Sequence, residues 1–160
     1  ILPGKSDFYL NRAYTFRKNK DFKNAISDYS EVIKLDSKSF KAYYNRGLCY
    51  EKTFDYDLSY LDFKQSLLLE LENLKITNNE PLDQILTKEK YMSNTNLLTS
   101  YENIMLHLGN VCEKSQKSEE AFDCFNKIIN INPNQAAAHH GIGLLLDRNM
   151  DYLGAIECYN

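Results

Sequence analysis

The chain has no tryptophan, and only three prolines and six glycines in 160 residues. Sandwiches and barrels of many short strands need turn residues at close intervals, so this scarcity excludes them. No Cys-x-x-Cys spacing occurs among Cys49, Cys112, Cys124 and Cys158. All four fall inside helical patterns and read as small buried hydrophobes of a reducing, cytoplasmic compartment rather than as disulfides or metal ligands. No apolar run approaches the ~18 residues that suggest a membrane span; the longest candidate, Leu67-Leu68-Leu69, is cut by Glu70. A preponderance of one charge is missing too, since a net charge of −3 gives no long-range attraction for nucleic acid or anionic lipid. No signal peptide is read in these residues. The sequence starts at Ile1 without Met and stops at Asn160 within a helical pattern, so a piece of a longer intracellular protein is expected.

Catalytic motifs are equally thin. His139 and His140 diverge by about 100° around a helix, and His107 stands alone, so no metal site is expected. Gly141-Ile142-Gly143 lacks the preceding strand and third glycine of a dinucleotide fingerprint, and reads as the close-packing Gly143 with a neighbour. No Ser, Cys or Thr sits in a nucleophile motif. Neither a cofactor nor an enzymatic activity is expected.

What is present is a period. Asp21-Phe22-Lys23-Asn24-Ala25-Ile26 and Asp55-Tyr56-Asp57-Leu58-Ser59-Tyr60 place Ala25 and Ser59 34 residues apart. Ser118-Glu119-Glu120-Ala121-Phe122 and Asp151-Tyr152-Leu153-Gly154-Ala155-Ile156 place Ala121 and Ala155 34 apart again. The two pairs are separated by 62 residues, one period plus 28. A period between about 20 and 50 residues points to stacked helical units. Each unit reads as two amphipathic helices and a short turn. Tyr9, Arg12, Ala13 and Phe16 form the first stripe, and Phe22, Ala25, Ile26, Tyr29, Val32 and Ile33 the second, with Asn19-Lys20-Asp21 between them.

Small residues recur once per helix: Ala13, Gly47, Gly109 and Gly143 in the first helices, Ala25, Ser59, Ala121 and Ala155 in the second. A helix-interior glycine costs about 1 kcal/mol relative to alanine, so its repetition predicts close approach of backbones there. An aromatic ring (Tyr29, Phe63, Phe125, Tyr159) follows each second-helix small residue by one turn, on the same face. Small residue against ring predicts interlocking packing that requires neighbouring units to stack.

These residues resemble the tetratricopeptide repeat family, helix–turn–helix units of 34 residues with an aromatic, Leu-Gly, Tyr, Ala, Phe/Tyr and Pro signature. Tyr43-Tyr44-Asn45-Arg46-Gly47-Leu48-Cys49-Tyr50 and His107-Leu108-Gly109-Asn110 match its first helix, Ala25-Ile26 with Tyr29 and Asp151-Tyr152 with Ala155-Ile156 its second, and Ile129-Asn130-Ile131-Asn132-Pro133 its closing turn. Arg12 and Arg46 stand in the usual Leu place, Ser37 and Leu71 in the closing Pro place, and Ser59 and Ser66 replace Ala. The resemblance implies an all-α, right-handed superhelical stack of antiparallel helix pairs. Four repeats are expected, at about 6–39, 40–73, 102–135 and 136–160, in a single domain. Residues 74–101 form an insertion without Gly or Ala. There the second helix of repeat two is expected to run on to about Ile76, Pro81 to break it, Leu82–Tyr91 to form a short helix, and Ser93-Asn94-Thr95-Asn96 to start the next.

In this family the first helices line a concave groove, and the resemblance implies the same here. The residues expected to point into it are Leu10, Asn11, Tyr14 and Lys18; Lys41, Tyr44, Asn45, Leu48 and Lys52; Leu106, His107, Asn110 and Lys114; and His140, Leu144 and Arg148. The apolar members would bury ligand side chains, and the asparagines can bond a peptide backbone as donor and acceptor. Lys18, Lys52, Lys114 and Arg148 recur once per unit, a cationic ladder suited to an acidic or C-terminal carboxylate ligand. The implied function is a non-catalytic scaffold for a protein or peptide partner. One alternative is co-chaperone-like recognition: some members grip the C-terminal Asp of large heat-shock chaperones with two Lys/Arg and two Asn. Asn11 and Lys41 stand in two of those places, but Asn45 replaces the Arg. Another is the recruiting arm of an enzyme whose catalytic domain lies elsewhere. Exposed apolar surface at Ile142, Tyr152 and Tyr159 is expected to promote self-association.

Overall fold

A computed structural model describes residues 4–73 and 95–159. Its elements, in chain order, are α1 (Lys5–Lys18), α2 (Phe22–Leu35), α3 (Phe40–Lys52), α4 (Tyr56–Asn73), α5 (Thr95–Lys114), α6 (Ser118–Ile131), α7 (Ala136–Arg148) and α8 (Tyr152–Tyr159). Among the described residues these eight helices are the whole of the regular structure, and there is no strand. They fall into two compact units, α1–α4 and α5–α8. In each unit, consecutive helices pack as pairs, α1 with α2, α3 with α4, α5 with α6 and α7 with α8.

The turn inside every pair is built the same way. Lys20, Phe54, Gln116 and Met150 adopt left-handed backbone, with φ of 62°, 66°, 61° and 63°. The next amide reaches back across the turn: Asp21 N–H donates to the Phe16 carbonyl, Asp55 to Tyr50, Lys117 to Cys112 and Asp151 to Leu146, at 2.8–2.9 Å. This six-residue closure satisfies carbonyls that a helix end leaves orphaned. Asp21 and Asp151 then cap the following helices, accepting from the Asn24 and Gly154 amides at 3.2 and 3.0 Å.

The small residues lie where the period predicts. Ala13, Gly47, Gly109 and Gly143 are buried in the first helices, and Ala25, Ser59, Ala121 and Ala155 in the second. A Cβ added at Gly47 would lie 3.0 Å from the Phe63 ring, and one at Gly109 2.5 Å from the Phe125 ring. Gly141 corrects the sequence reading: it is no mere neighbour, because a Cβ there would also lie 2.5 Å from Phe125. That ring is thus clasped by glycines of two successive first helices. The serines in alanine places are satisfied, Ser59 Oγ donating to the Gly47 carbonyl at 2.9 Å and Ser66 Oγ to that of Phe40 at 3.0 Å.

The two arginines in leucine places find partners that no single-helix pattern reveals. Arg12 donates to both carboxylate oxygens of Asp28 at 2.6 and 2.8 Å, and Arg46 to both of Asp62 at 2.7 and 2.8 Å. Both pairs are 16 residues apart and repeat at the 34-residue period. Arg46 also donates to Ser30 Oγ at 3.0 Å, joining α3 to α2. In the second unit the matching positions hold Leu108 with Cys124 and Ile142 with Cys158, an apolar solution to the same space. Cys49, Cys112 and Cys124 are buried free thiols and Cys158 is half-buried.

Helix α5 extends the expected architecture. It begins at Thr95, close to the start signal at Ser93–Asn96 and ahead of the repeat boundary at 102, because Leu97, Tyr101, Met105 and Leu108 make one continuous buried stripe. The expectations for Ile76, Pro81 and Leu82–Tyr91 lie outside the described residues. Ile142 is a second correction: it is 5% exposed, packed in its own unit, so the exposed apolar surface of this region belongs to α8, at Tyr152, Leu153, Ile156 and Tyr159.

Candidate functional site

None of the groove residues expected from the sequence is buried. In the first unit they lie on α1 and α3. Tyr14 is half exposed and carries two cations on its ring, with Arg17 Cζ and Lys18 Nζ each 5.3 Å from the centroid. Leu10 is half-buried and Asn11 exposed beside it. On α3, Tyr44 is half-buried with its ring 5.8 Å from that of Phe63, and Leu48 is half-buried one turn on. Lys41 and Lys52 are exposed at either end of this helix. Asn45 lays its amide back along its own helix, donating to the Lys41 carbonyl at 2.7 Å.

A polar cluster backs this surface. Tyr29 is fully buried, and its hydroxyl and Arg17 Nε are both buried without a hydrogen-bond partner among the described residues. Burial pushes the Tyr29 and Tyr44 hydroxyls above the usual phenol range, against the opposing pull of the Arg17 charge. The same burial pushes the Cys49 thiol up to about 11, which leaves it protonated and inert at neutral pH. The sequence reading missed Arg17, although its place was detectable: Arg17, Glu51, Glu113 and Asp147 each precede a ladder cation at the repeat period.

In the second unit, Leu106, His107 and Asn110 are half-buried on α5 and Lys114 is exposed. On α7, His140 and Leu144 are exposed, with the His140 ring 5.7 Å from that of Tyr159. Arg148 is exposed but engaged: Nη2 lies 2.5 Å from Glu113 Oε1, and Nη1 donates to the Glu113 carbonyl at 3.4 Å. The last rung of the ladder is therefore neutralised by the preceding repeat. His139 points elsewhere, its Nε2 donating to the Pro133 carbonyl at 2.7 Å, which fixes the proton on that nitrogen. Among the described residues no three His, Cys, Asp or Glu side chains gather in a way that could hold a metal ion. Nor is any described helix long and apolar enough to cross a membrane.

Comparison with known proteins fits this geometry. Mouse (Mus musculus) sperm-associated antigen 1 is 40% identical over 67 residues, 42% of this chain and 7% of that protein. Zebrafish (Danio rerio) protein unc-45 homolog B is 32% identical over 65 residues, 41% of this chain and 7% of its own length. The chain thus spans only a small part of the curated relatives it matches. Among solved structures, MamA superposes with a TM-score of 0.74 at 18% identity, covering 98% of this chain and 75% of that one. The first TPR of Spaghetti (RPAP3), bound to the HSP90 peptide SRMEEVD, gives 0.66 at 15% identity, covering 94% and 97%. Both show a shared fold. A TPR repeat model matches residues 7–53 and a tetratricopeptide repeat model residues 40–73 and 102–135. The fourth helix pair carries the same left-handed turn and the same glycine-to-ring contact, Gly143 against Tyr159. The chain belongs to the tetratricopeptide repeat family.

Proposed function

We propose that this chain is a non-catalytic protein-interaction scaffold that holds a peptide or protein segment along the first-helix faces of its repeats. The observation that carries this reading is that, within each unit, the first helices leave apolar, amide and cationic side chains exposed or half-buried. Tyr14, Tyr44, Leu48 and Leu106 supply apolar surface, Asn11 and Asn110 supply backbone bonding, and Lys18, Lys41, Lys52 and Lys114 supply positive charge. The test is capture of partners by the full protein against a variant combining Tyr44→Ala, Leu48→Ala, Lys52→Glu and Lys114→Glu. Loss of the captured set is expected. Unchanged capture would overturn the assignment of these faces.

A second reading, acidic C-terminal peptide recognition, is favoured by the cations over Tyr14 and by Lys41. The structural neighbour that holds SRMEEVD supports it by analogy of fold. The Asn45 amide, bonded to the Lys41 carbonyl of its own helix, opposes it. Fluorescence anisotropy with SRMEEVD decides between the two: an acidic-terminus binder loses affinity when that peptide is amidated, whereas a general groove does not. The exposed Tyr152, Leu153 and Ile156 of α8 also favour self-association, and light scattering that shows a clean monomer at high concentration would refute it.

A further inference from the structure

The outward face of α4 departs from its counterparts. On α2 the exposed outer positions are Asn24, Ser27 and Lys34, and on α6 the matching ones are Glu120, Asp123 and Asn130. On α4 the same places hold Leu58, Leu61 and Leu68, which are 47%, 61% and 45% exposed. Spacings of three and seven set the three leucines along one face of the helix. Phe54, in the turn leading into α4, is exposed as well. None of this surface contributes to the first-helix faces already described. Three leucines in water where sister helices place polar groups mark a surface that is covered in use.

The border of the stripe indicates what covers it. Exposed Asp55 and Asp57 stand at the N-terminal end and exposed Glu72 at the C-terminal end. The one lysine of α4, Lys64, lays its Nζ over the Tyr60 ring, 5.2 Å from the centroid. Carboxylates at both ends disfavour an anionic membrane. They also disfavour a second copy: antiparallel pairing that sets Leu61 against Leu68 brings Asp57 against Glu72, and parallel pairing sets each carboxylate against itself. A helix with an apolar stripe and basic ends satisfies both the leucines and the charge.

We propose that the outward face of α4 docks an amphipathic helix of a partner protein, with Leu58, Leu61 and Leu68 receiving its apolar side chains and Asp55, Asp57 and Glu72 pairing with lysine or arginine at its ends. The surface acts independently of the first-helix faces. The probe is a synthetic helical peptide with leucines at i, i+3 and i+7 and lysines at its ends, titrated by fluorescence anisotropy into the full chain. Leu61→Glu with Leu68→Glu is expected to weaken binding at least about tenfold, and a peptide with glutamate in place of lysine to lose about tenfold or more. Tyr14→Ala with Lys18→Glu, on α1, leaves binding unchanged. Leu61→Ser serves as a milder variant should the glutamates impair folding, which far-UV circular dichroism reports. Binding that ignores Leu61 and Leu68 overturns the proposal. So does a dimer in sedimentation velocity that Leu61→Glu abolishes, which assigns the face to a second copy. Refusal of Leu61→Cys to react with maleimide in the free chain also overturns it, because the face is then covered by the chain itself.

Discussion

Replacing individual glycines by alanine tests the packing scheme, because the structure orders the outcomes. In an ordinary exposed helix each such change stabilises by about 1 kcal/mol through helix propensity. A Cβ at Gly109 or Gly141, however, lies 2.5 Å from the Phe125 ring, about 1 Å inside normal carbon contact. Phe125 is 0% exposed and held from both sides, so retreat from one helix drives it into the other. Overpacking of this kind costs about 1–3 kcal/mol, so Gly109→Ala and Gly141→Ala should each destabilise by about 1–2 kcal/mol net. Gly47 is looser, with Phe63 3.0 Å away, and its substitution should be near neutral. Gly143 faces Tyr159, which is 50% exposed on the last helix and can swing aside, so Gly143→Ala should stabilise slightly. Thermal melting by circular dichroism reads these differences at about 2–4 °C per kcal/mol for a chain this size. Pairing Gly109→Ala with Phe125→Leu should cost less than the two separate losses, because the smaller side chain vacates the collision. A higher melting temperature for Gly109→Ala or Gly141→Ala would refute the reasoning.

Four further outcomes follow from the same structure. Arg46→Leu strands the buried Asp62 carboxylate and should cost about 3 kcal/mol by urea unfolding, whereas Arg46→Leu with Asp62→Cys, the side chains of the matching pair in repeat three, should return to within about 1 kcal/mol of the parent. Burial raises the Asp62 pKa against the pull of Arg46, so the folded chain holds that proton more tightly than the unfolded chain and gains stability as pH falls; the cost of Asp62→Asn should therefore grow as pH falls through a midpoint above the ordinary aspartate range, and a pH-independent cost would contradict this. Met150→Gly relieves a left-handed backbone at a residue 76% exposed and should stabilise by about 0.5–1 kcal/mol, seen as a small rise in melting temperature. Maleimide on the native protein should modify Cys158 first, leaving Cys49, whose thiol is held near 11, with Cys112 and Cys124 until unfolding; early labelling of Cys49 would contradict its burial.

The repeat scaffold was legible because its signals are local and recur: small residues, rings and turns return at a spacing of 34, and a periodic pattern needs no knowledge of distant contacts. Why Arg12 and Arg46 stand in leucine places was not legible helix by helix, since their partners Asp28 and Asp62 sit on the other helix of each pair. The partnership was still encoded, in the joint recurrence of arginine and aspartate. The start of α5 was legible in the signal at Ser93–Asn96, whereas its packing before the repeat boundary at 102 was not, because Leu97 and Tyr101 bury themselves without Gly or Ala. The exposure of first-helix side chains was readable from helical phase. The charge state of the ladder was not, because Arg148 is answered by a carboxylate one repeat away.

The glycine clasp on Phe125 has a consequence for how this protein comes apart. One side chain is part of the interior of two repeats at once, so neither can melt without exposing it to water. Amide protons of α6 and α7 should accordingly exchange with solvent in a single concerted opening, rather than as a series of frayed steps travelling inward from Tyr159.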